Sequence, residues 1–150
     1  MAITQSMCTS FKAELMLADH DFDSAGGDTF KIALYNSDAD LDANTTVYTS
    51  TNEASGTNYS AGGISLTNTG VGSTPINANT GTGFTDFSDA TFTNVNVTAR
   101  GALIYNSTSS INTNAAVCVL DFGSNKTATD GDFVVIFPTN DASNAIIRIA

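Results

Sequence analysis

Runs of apolar residues dominate the C-terminal half of the chain and predict β-strands. Four runs stand out: Ala99–Tyr105, Ala115–Phe122, Phe133–Phe137 and Ala145–Ile149. They have the short length of strands and are separated by residues that favour turns. The link from Asp121 to Gly131 is rich in such residues and predicts a hairpin connection. In the last run, Ile147 and Ile149 flank Arg148 and are expected to face the core.

The first segment has helical rather than strand periodicity. Its apolar residues recur every four positions: Ile3, Met7, Phe11 and Leu15. This spacing predicts an amphipathic helix of about 12–15 residues that ends near Asp19, with Glu14 on the polar side. A helix this short is stable only when its apolar face is packed. Met7, Phe11 and Leu15 are therefore expected to be buried, against the chain's own sheet or at an interface with another subunit.

The middle of the chain gives weaker strand signals. They lie at Phe30–Tyr35, Thr45–Tyr48, around Ile64 and Leu66, and across Phe84–Val97. Residues 67–83 are rich in Gly, Thr, Asn and Ser and predict a long surface loop. Roughly eight strands with turn signals between them indicate an all-β fold, a β-sandwich or jelly roll of antiparallel strands with one N-terminal helix. One domain is expected over residues 1–150, with a helical segment at 1–19 and the sandwich at 29–150.

Composition agrees with this fold class and narrows the range of partners. Charged residues make up 13% of the chain, below the roughly 25% of an average soluble domain. The net charge is −10, from 15 acidic and 5 basic residues. The few basic residues are scattered, so the positive footprint of a nucleic-acid-binding protein is missing. An anionic membrane surface is not expected as a partner for the same reason. Cys8 and Cys118 are expected to be buried free thiols.

Two runs of alternating aspartates are the best candidates for a metal site. They comprise Asp19, Asp21 and Asp23, and Asp38, Asp40 and Asp42. Loops with this alternation bind Ca²⁺ in EF-hands, but both runs lack the glycine at position six and the glutamate at position twelve. The competing interpretation is a solvated turn in which each aspartate bonds to nearby backbone N–H groups. No metal and no cofactor are therefore predicted.

Residues capable of catalysis are few and unpaired. His20 is the single histidine, and no serine or cysteine lies in a recognisable nucleophile motif with it. Glu14 and Glu53 are the two glutamates, and no spacing pairs carboxylates as glycoside hydrolysis requires. The chain is therefore not expected to be an enzyme.

Two tyrosines are candidates for an exposed interface. Tyr48 and Tyr59 lie near predicted loops, where an aromatic ring can contact a partner. By contrast, the spacing of Phe84, Phe87 and Phe92 is more typical of core residues than of a binding platform.

The order of segments along the chain resembles a known group of proteins. Six segments carry the resemblance: MAITQSMCTSFKAEL, TFKIALYNSDADLDANTTVYTSTNE, YSAGGISLTN, FTDFSDATFTNVNVTARGALIYN, AVCVLDFGSNKTATDGDFVVIFP and AIIRIA. They are similar to small virion structural proteins of tailed bacteriophages, many from cyanobacterial and marine phages. The resemblance covers nearly the whole chain.

This resemblance implies a non-enzymatic part of the virion. It favours a capsid decoration (cement) protein that binds the major capsid protein and forms a homotrimer on the shell. Such a protein is made in the host bacterial cytoplasm and resides in the virion. The alternative is a tail, collar or fibre component, with Tyr48, Tyr59 and the loop Thr67–Gly83 contacting a receptor. A third hypothesis is a virion-associated hydrolase that uses the acidic residues of Asp19–Asp28.

Overall fold

Eight β-strands and one short α-helix form the regular structure of residues 2–74 and 81–150, the part of the chain that this computed structural model describes. In chain order they are β1 (Ser6–Met7), α1 (Thr9–Met16), β2 (Phe30–Tyr35), β3 (Ile64–Ser65), β4 (Asn68–Ser73), β5 (Gly83–Phe87), β6 (Ala90–Asn106), β7 (Ala115–Val135) and β8 (Ile147–Ile149). The all-β class predicted from the sequence is confirmed. The helix described is not long or apolar enough to cross a membrane.

The strands form two antiparallel sheets that share one hydrophobic core. The larger sheet has the order β1-β7-β6-β2-β3, and the smaller has the order β4-β5-β8. Phe30 of β2 and Phe87 of β5 bring the sheets together, with ring centroids 5.5 Å apart. Ile147 of β8 belongs to the same buried cluster. This packing of two sheets over common side chains is the arrangement of a β-sandwich.

A long, irregular hairpin of β6 and β7 is the largest unit of the fold. The pairing runs from Ala90 opposite Val135 to Asn106 opposite Ala115. The predicted hairpin link at Asp121–Gly131 is therefore wrong, because β7 continues through it as one strand. Its turn-forming residues are accommodated in a bulge next to Arg100, where Gly123 has a φ of +75°. Glycine adopts this conformation at little cost.

The helix is shorter than the sequence predicts. Ser6 and Met7 pair with β7, and Cys8 is still extended, with φ −64° and ψ 141°. Backbone pairing with β7 therefore replaces the first turns of the expected helix. Phe11 is fully buried in the chain's own core, as expected, and Met7 and Leu15 pack partly buried against it.

Three further expectations differ from the structure. The flanks of the predicted loop at 67–83 are strands β4 and β5, and its remaining residues 75–80 lie outside the described part. The strand expected at Thr45–Tyr48 is reduced to a single bridge between Val47 and Ala115. Ile149 is 58% exposed because it lies opposite Gly83, which has no side chain to cover it.

Candidate functional site

A buried polar cluster lies where α1, the loop after it and the end of β6 meet. Glu14, Asp19 and His20 are 3%, 8% and 8% exposed, and Asn106 is fully buried. Glu14, Asp19 and His20 each have a side-chain atom that could bind a metal ion, and these three atoms lie within 4.8 Å of one another. Within residues 2–74 and 81–150, this is the group of carboxylate, imidazole or thiol side chains with that property. Since buried polar groups are uncommon unless paired, this polar cluster is the candidate site.

The end of α1 explains how neighbouring residues converge there. Leu17 and Asp19 both donate their backbone N–H groups to the carbonyl of Glu14. Between them, Ala18 has a φ of +58°, in the left-handed region that often ends a helix. The chain therefore turns back on itself, which brings Asp19 and His20 towards the Glu14 side chain.

The hydrogen bonds around Asn106 assign the tautomer of His20. The Asn106 Oδ1 atom accepts the Thr108 N–H at 2.9 Å, and its Nδ2 atom donates to Asp28 Oδ2 at 2.8 Å. These partners fix the orientation of the amide, so Nδ2 also donates to His20 Nδ1 at 3.0 Å. Nδ1 is therefore an acceptor, and the proton of neutral His20 lies on Nε2. Nε2 donates it to Glu14 Oε2 at 2.9 Å.

Asp19 holds the loop that follows β6. Its Oδ1 atom accepts the backbone N–H groups of Ser110 at 2.8 Å and Ile111 at 3.2 Å, and the Ser110 hydroxyl. Its Oδ2 atom accepts the hydroxyl of Ser109. Burial alone raises the pKa of this carboxyl, but the bonds from Ser109 and Ser110 outweigh burial and hold it below its usual value. Ionised Asp19 is thus stabilised in the folded chain.

This geometry fits a hydrogen-bonded network better than a metal centre. A histidine that binds a metal through Nε2 donates its Nδ1–H to an acceptor. Here Asn106 presents a donor to Nδ1, which selects the opposite tautomer. Both carboxylate oxygens of Glu14 and both of Asp19 already accept hydrogen bonds. The Oε1 atom of Glu14 accepts its bond from Asn112 Nδ2 at 2.6 Å. A metal ion would have to break this set of matched donors and acceptors.

The structure brings only one of the six candidate aspartates into the polar cluster. Asp21, Asp23 and Asp42 accept backbone N–H groups two residues further along, at 2.9, 3.0 and 2.7 Å. These bonds are the local turns that were expected as the alternative to calcium binding. Asp38 and Asp40 are exposed. The Oδ1 atom of Asp40 accepts a long hydrogen bond, 3.5 Å, from the Ala2 N–H.

The two candidate interface tyrosines are half-buried and bound to a common glutamate. Tyr48 donates to Glu53 Oε2 at 2.6 Å, and Tyr59 donates to Glu53 Oε1 at 2.8 Å. The Tyr48 ring stacks on Tyr105, and the Tyr59 ring stacks on Phe92. Burial raises the pKa of both hydroxyls, and the Glu53 carboxylate adds to the effect. Both rings therefore support the fold, and their role in an interface stays a prediction.

Sequence reasoning missed Glu14 and Asn106, which hold the two sides of the His20 ring. The expectation that Glu14 lies on the polar side of the helix is wrong, because the structure buries it together with Phe11. Glu14 lies three residues after Phe11, a spacing that places both on one helix face, so this signal was present in the sequence. Asn106 gave no local signal, because it lies 86 residues from His20 and meets it only through the fold.

Comparison with models of protein families, with curated proteins and with solved structures finds no match to this chain. A function is therefore inferred from the segments of the sequence and from the geometry of the polar cluster.

Asp19→Asn is expected to make stability less dependent on pH. The folded pKa of Asp19 lies below its unfolded value of about 3.9, so the carboxylate stabilises the fold above that pH and loses this contribution as the pH falls. At pH 7 we expect the variant to lose about 1–2 kcal/mol of unfolding free energy. The loss should shrink at about pH 3, as measured by urea denaturation at both pH values.

The matched control is Asp40→Asn, at an exposed position with a weak bond. It should change the unfolding free energy at pH 7 by less than about 0.5 kcal/mol. An Asp19→Asn loss that is the same at both pH values would contradict the assignment of an ionised, hydrogen-bonded Asp19.

Proposed function

We propose that the chain is a non-enzymatic virion protein of a tailed bacteriophage, a capsid decoration (cement) protein. The observation that carries the non-enzymatic part of this proposal is the closed polar cluster. Both ring nitrogens of His20 and both carboxylate oxygens of Glu14 and of Asp19 are hydrogen-bonded within the chain. A general base needs a lone pair within reach of a substrate. These groups instead join α1 to β6 and to the loop after it, which is a structural use of polar residues.

The resemblance of the segment order to small virion proteins supports the same proposal. The proposed role of the protein is mechanical. The protein binds the major capsid protein across neighbouring subunits and stabilises the assembled shell by mass action. A homotrimer at a symmetric position of the shell is proposed, since closed symmetry lets one surface bind several equivalent subunits. The net charge of −10 suits an outward position, away from the phosphates of packaged DNA.

Cryo-electron microscopy of the phage that encodes the chain tests this proposal. We expect density for the fold on the outer surface of the shell, in a copy number that follows the capsid lattice. Density confined to the tail, collar or fibres would overturn the capsid assignment and support the alternative role. Particles without any copy of the chain would overturn the virion assignment as well.

Particle stability gives a second readout. Particles that lack the protein should release DNA at a lower temperature than complete particles, and addition of the purified protein should restore the difference. An equal release temperature with bound protein present would contradict a cementing role.

A further inference from the structure

An open groove of about 700 Å³ lies between β7 and the C-terminal segment. Residues of β7 and those just after it form one wall, and residues 144–146 with Arg148 form the other. Apolar side chains line much of it: Leu120, Phe122, Phe133, Ile136 and Ile146. Ile136 is 77% exposed, and Val134 beside it is 46% exposed. Adjacent large apolar side chains with this exposure are a feature of binding surfaces.

Both strands at this groove have an open backbone edge. β7 pairs with β6 on one side. On the other side it pairs with Val47 at Ala115 and with β1 at Cys118 and Val119. β8 pairs with β5 on one side. Within the described ranges, no strand covers β7 beyond Val119 or the second edge of β8. The N–H groups of Asp121 and Gly123 are engaged by the Gln5 and Asp121 side chains, so the stretch of β7 available to a partner strand lies beyond Gly123. Unpaired N–H and C=O groups in a row are a template for another strand.

Charge indicates what kind of strand the groove accepts. Two of the 5 basic residues of this acidic chain, Lys126 and Arg148, line it. Lys126 donates one bond to the Ser124 hydroxyl at 3.0 Å, and Arg148 donates one to the Ser143 carbonyl. A lysine has three N–H donors and an arginine has five, so both retain donors for a partner.

The two carboxylates in the groove are engaged within the chain. Asp121 pairs with Arg100 and accepts the Gly123 N–H at 2.8 Å. Asp132 accepts the Asn94 N–H at 2.9 Å but keeps its negative charge. Since Arg100 neutralises Asp121, the two cations Lys126 and Arg148 face one unneutralised carboxylate, Asp132. The groove therefore has an excess of positive charge, which favours an acidic side chain on the partner.

We infer that this groove binds an extended segment of another polypeptide by strand addition. The segment has alternating apolar side chains and at least one acidic side chain that faces Lys126 or Arg148. Main-chain hydrogen bonds to the open edge of β7 supply affinity, and the apolar and cationic lining supplies specificity. The inference is independent of the proposed function, because it concerns any protein partner with such a segment.

Selection from a library of random peptides, displayed on filamentous phage, tests the inference with the full-length protein. We expect enrichment of peptides that alternate apolar residues and carry Asp or Glu. A selected peptide, once synthesised, should slow amide hydrogen exchange in β7 beyond Gly123. Ile136→Asn removes an apolar side chain from the groove without adding charge and should weaken binding at least about tenfold. Lys126→Glu should remove the preference for acidic peptides.

Met16→Asn is the matched control, because Met16 is 83% exposed on α1. This variant should bind the peptide as the unchanged protein does, and circular dichroism should show all variants folded. Failure to enrich any peptide, or equal binding by the Ile136→Asn variant, would overturn the inference. A dimer in analytical ultracentrifugation that Ile136→Asn converts to a monomer would also overturn it, since the occupant would then be a second copy of this chain.

Discussion

Phe11→Ala is expected to lower the free energy of unfolding by about 3–5 kcal/mol. Phe11 has no exposed surface. Its ring centroid lies 4.8 Å from that of His20 and 6.0 Å, edge-on, from that of Phe22. Truncation removes buried apolar area and leaves a cavity beside the polar cluster, which the rigid aromatic neighbours fill poorly. Urea denaturation followed by circular dichroism measures the loss.

Met16→Ala provides the control on the same helix, because Met16 is 83% exposed. It should change stability by less than about 0.5 kcal/mol. If Phe11→Ala cost no more than this control, α1 would not be packed on the sheet as the structure describes.

Asn106→Leu is expected to cost about 2–4 kcal/mol, although leucine has the same number of side-chain heavy atoms with the same branching. The change removes the donor to His20 Nδ1 and to Asp28, and the acceptor of the Thr108 N–H. The His20 nitrogen is then buried without a partner, which costs more than the loss of an exposed hydrogen bond. The unfolding free energy at neutral pH measures the effect.

Asn125→Leu is the matched control, since Asn125 is exposed on β7. A loss confined to Asn106→Leu supports the network, whereas equal losses at both positions would contradict it. The losses from Phe11→Ala and Asn106→Leu should not add, because both residues contact the His20 ring.

Local sequence patterns predicted the elements in which apolar residues form a continuous run or recur at a regular spacing. Phe30–Tyr35 forms a strand as its apolar run indicates, and Phe11 is buried as the four-residue spacing indicates. The Asn68–Ser73 strand could not be predicted, because its Gly, Asn and Ser residues favour a loop. It forms through pairing with β5 and a bond from the Thr69 hydroxyl to the Asp86 carbonyl. Tertiary pairing overrides propensity there.

The polar cluster was predictable only in part for a similar reason. Asp19 was a candidate from the D-x-D-x-D pattern, but that pattern predicted local turns and calcium ligands rather than burial. Its partners Ser109 and Ser110 lie 90 and 91 residues away along the chain. A sequence read in local windows contains no signal for contacts of that separation, and they follow from the β6–β7 hairpin returning to α1.

Long-range ¹H–¹⁵N NMR of the His20 ring tests the central claim, that the polar cluster is a closed structural network. At about pH 8, where an imidazole is neutral, the ring should carry its proton on Nε2, with Nδ1 unprotonated and accepting from Asn106. The Nε2 proton should exchange slowly, and equimolar Zn²⁺ should leave both nitrogen resonances unchanged. A proton on Nδ1, or a shift of the Nε2 resonance on addition of Zn²⁺, would contradict the claim.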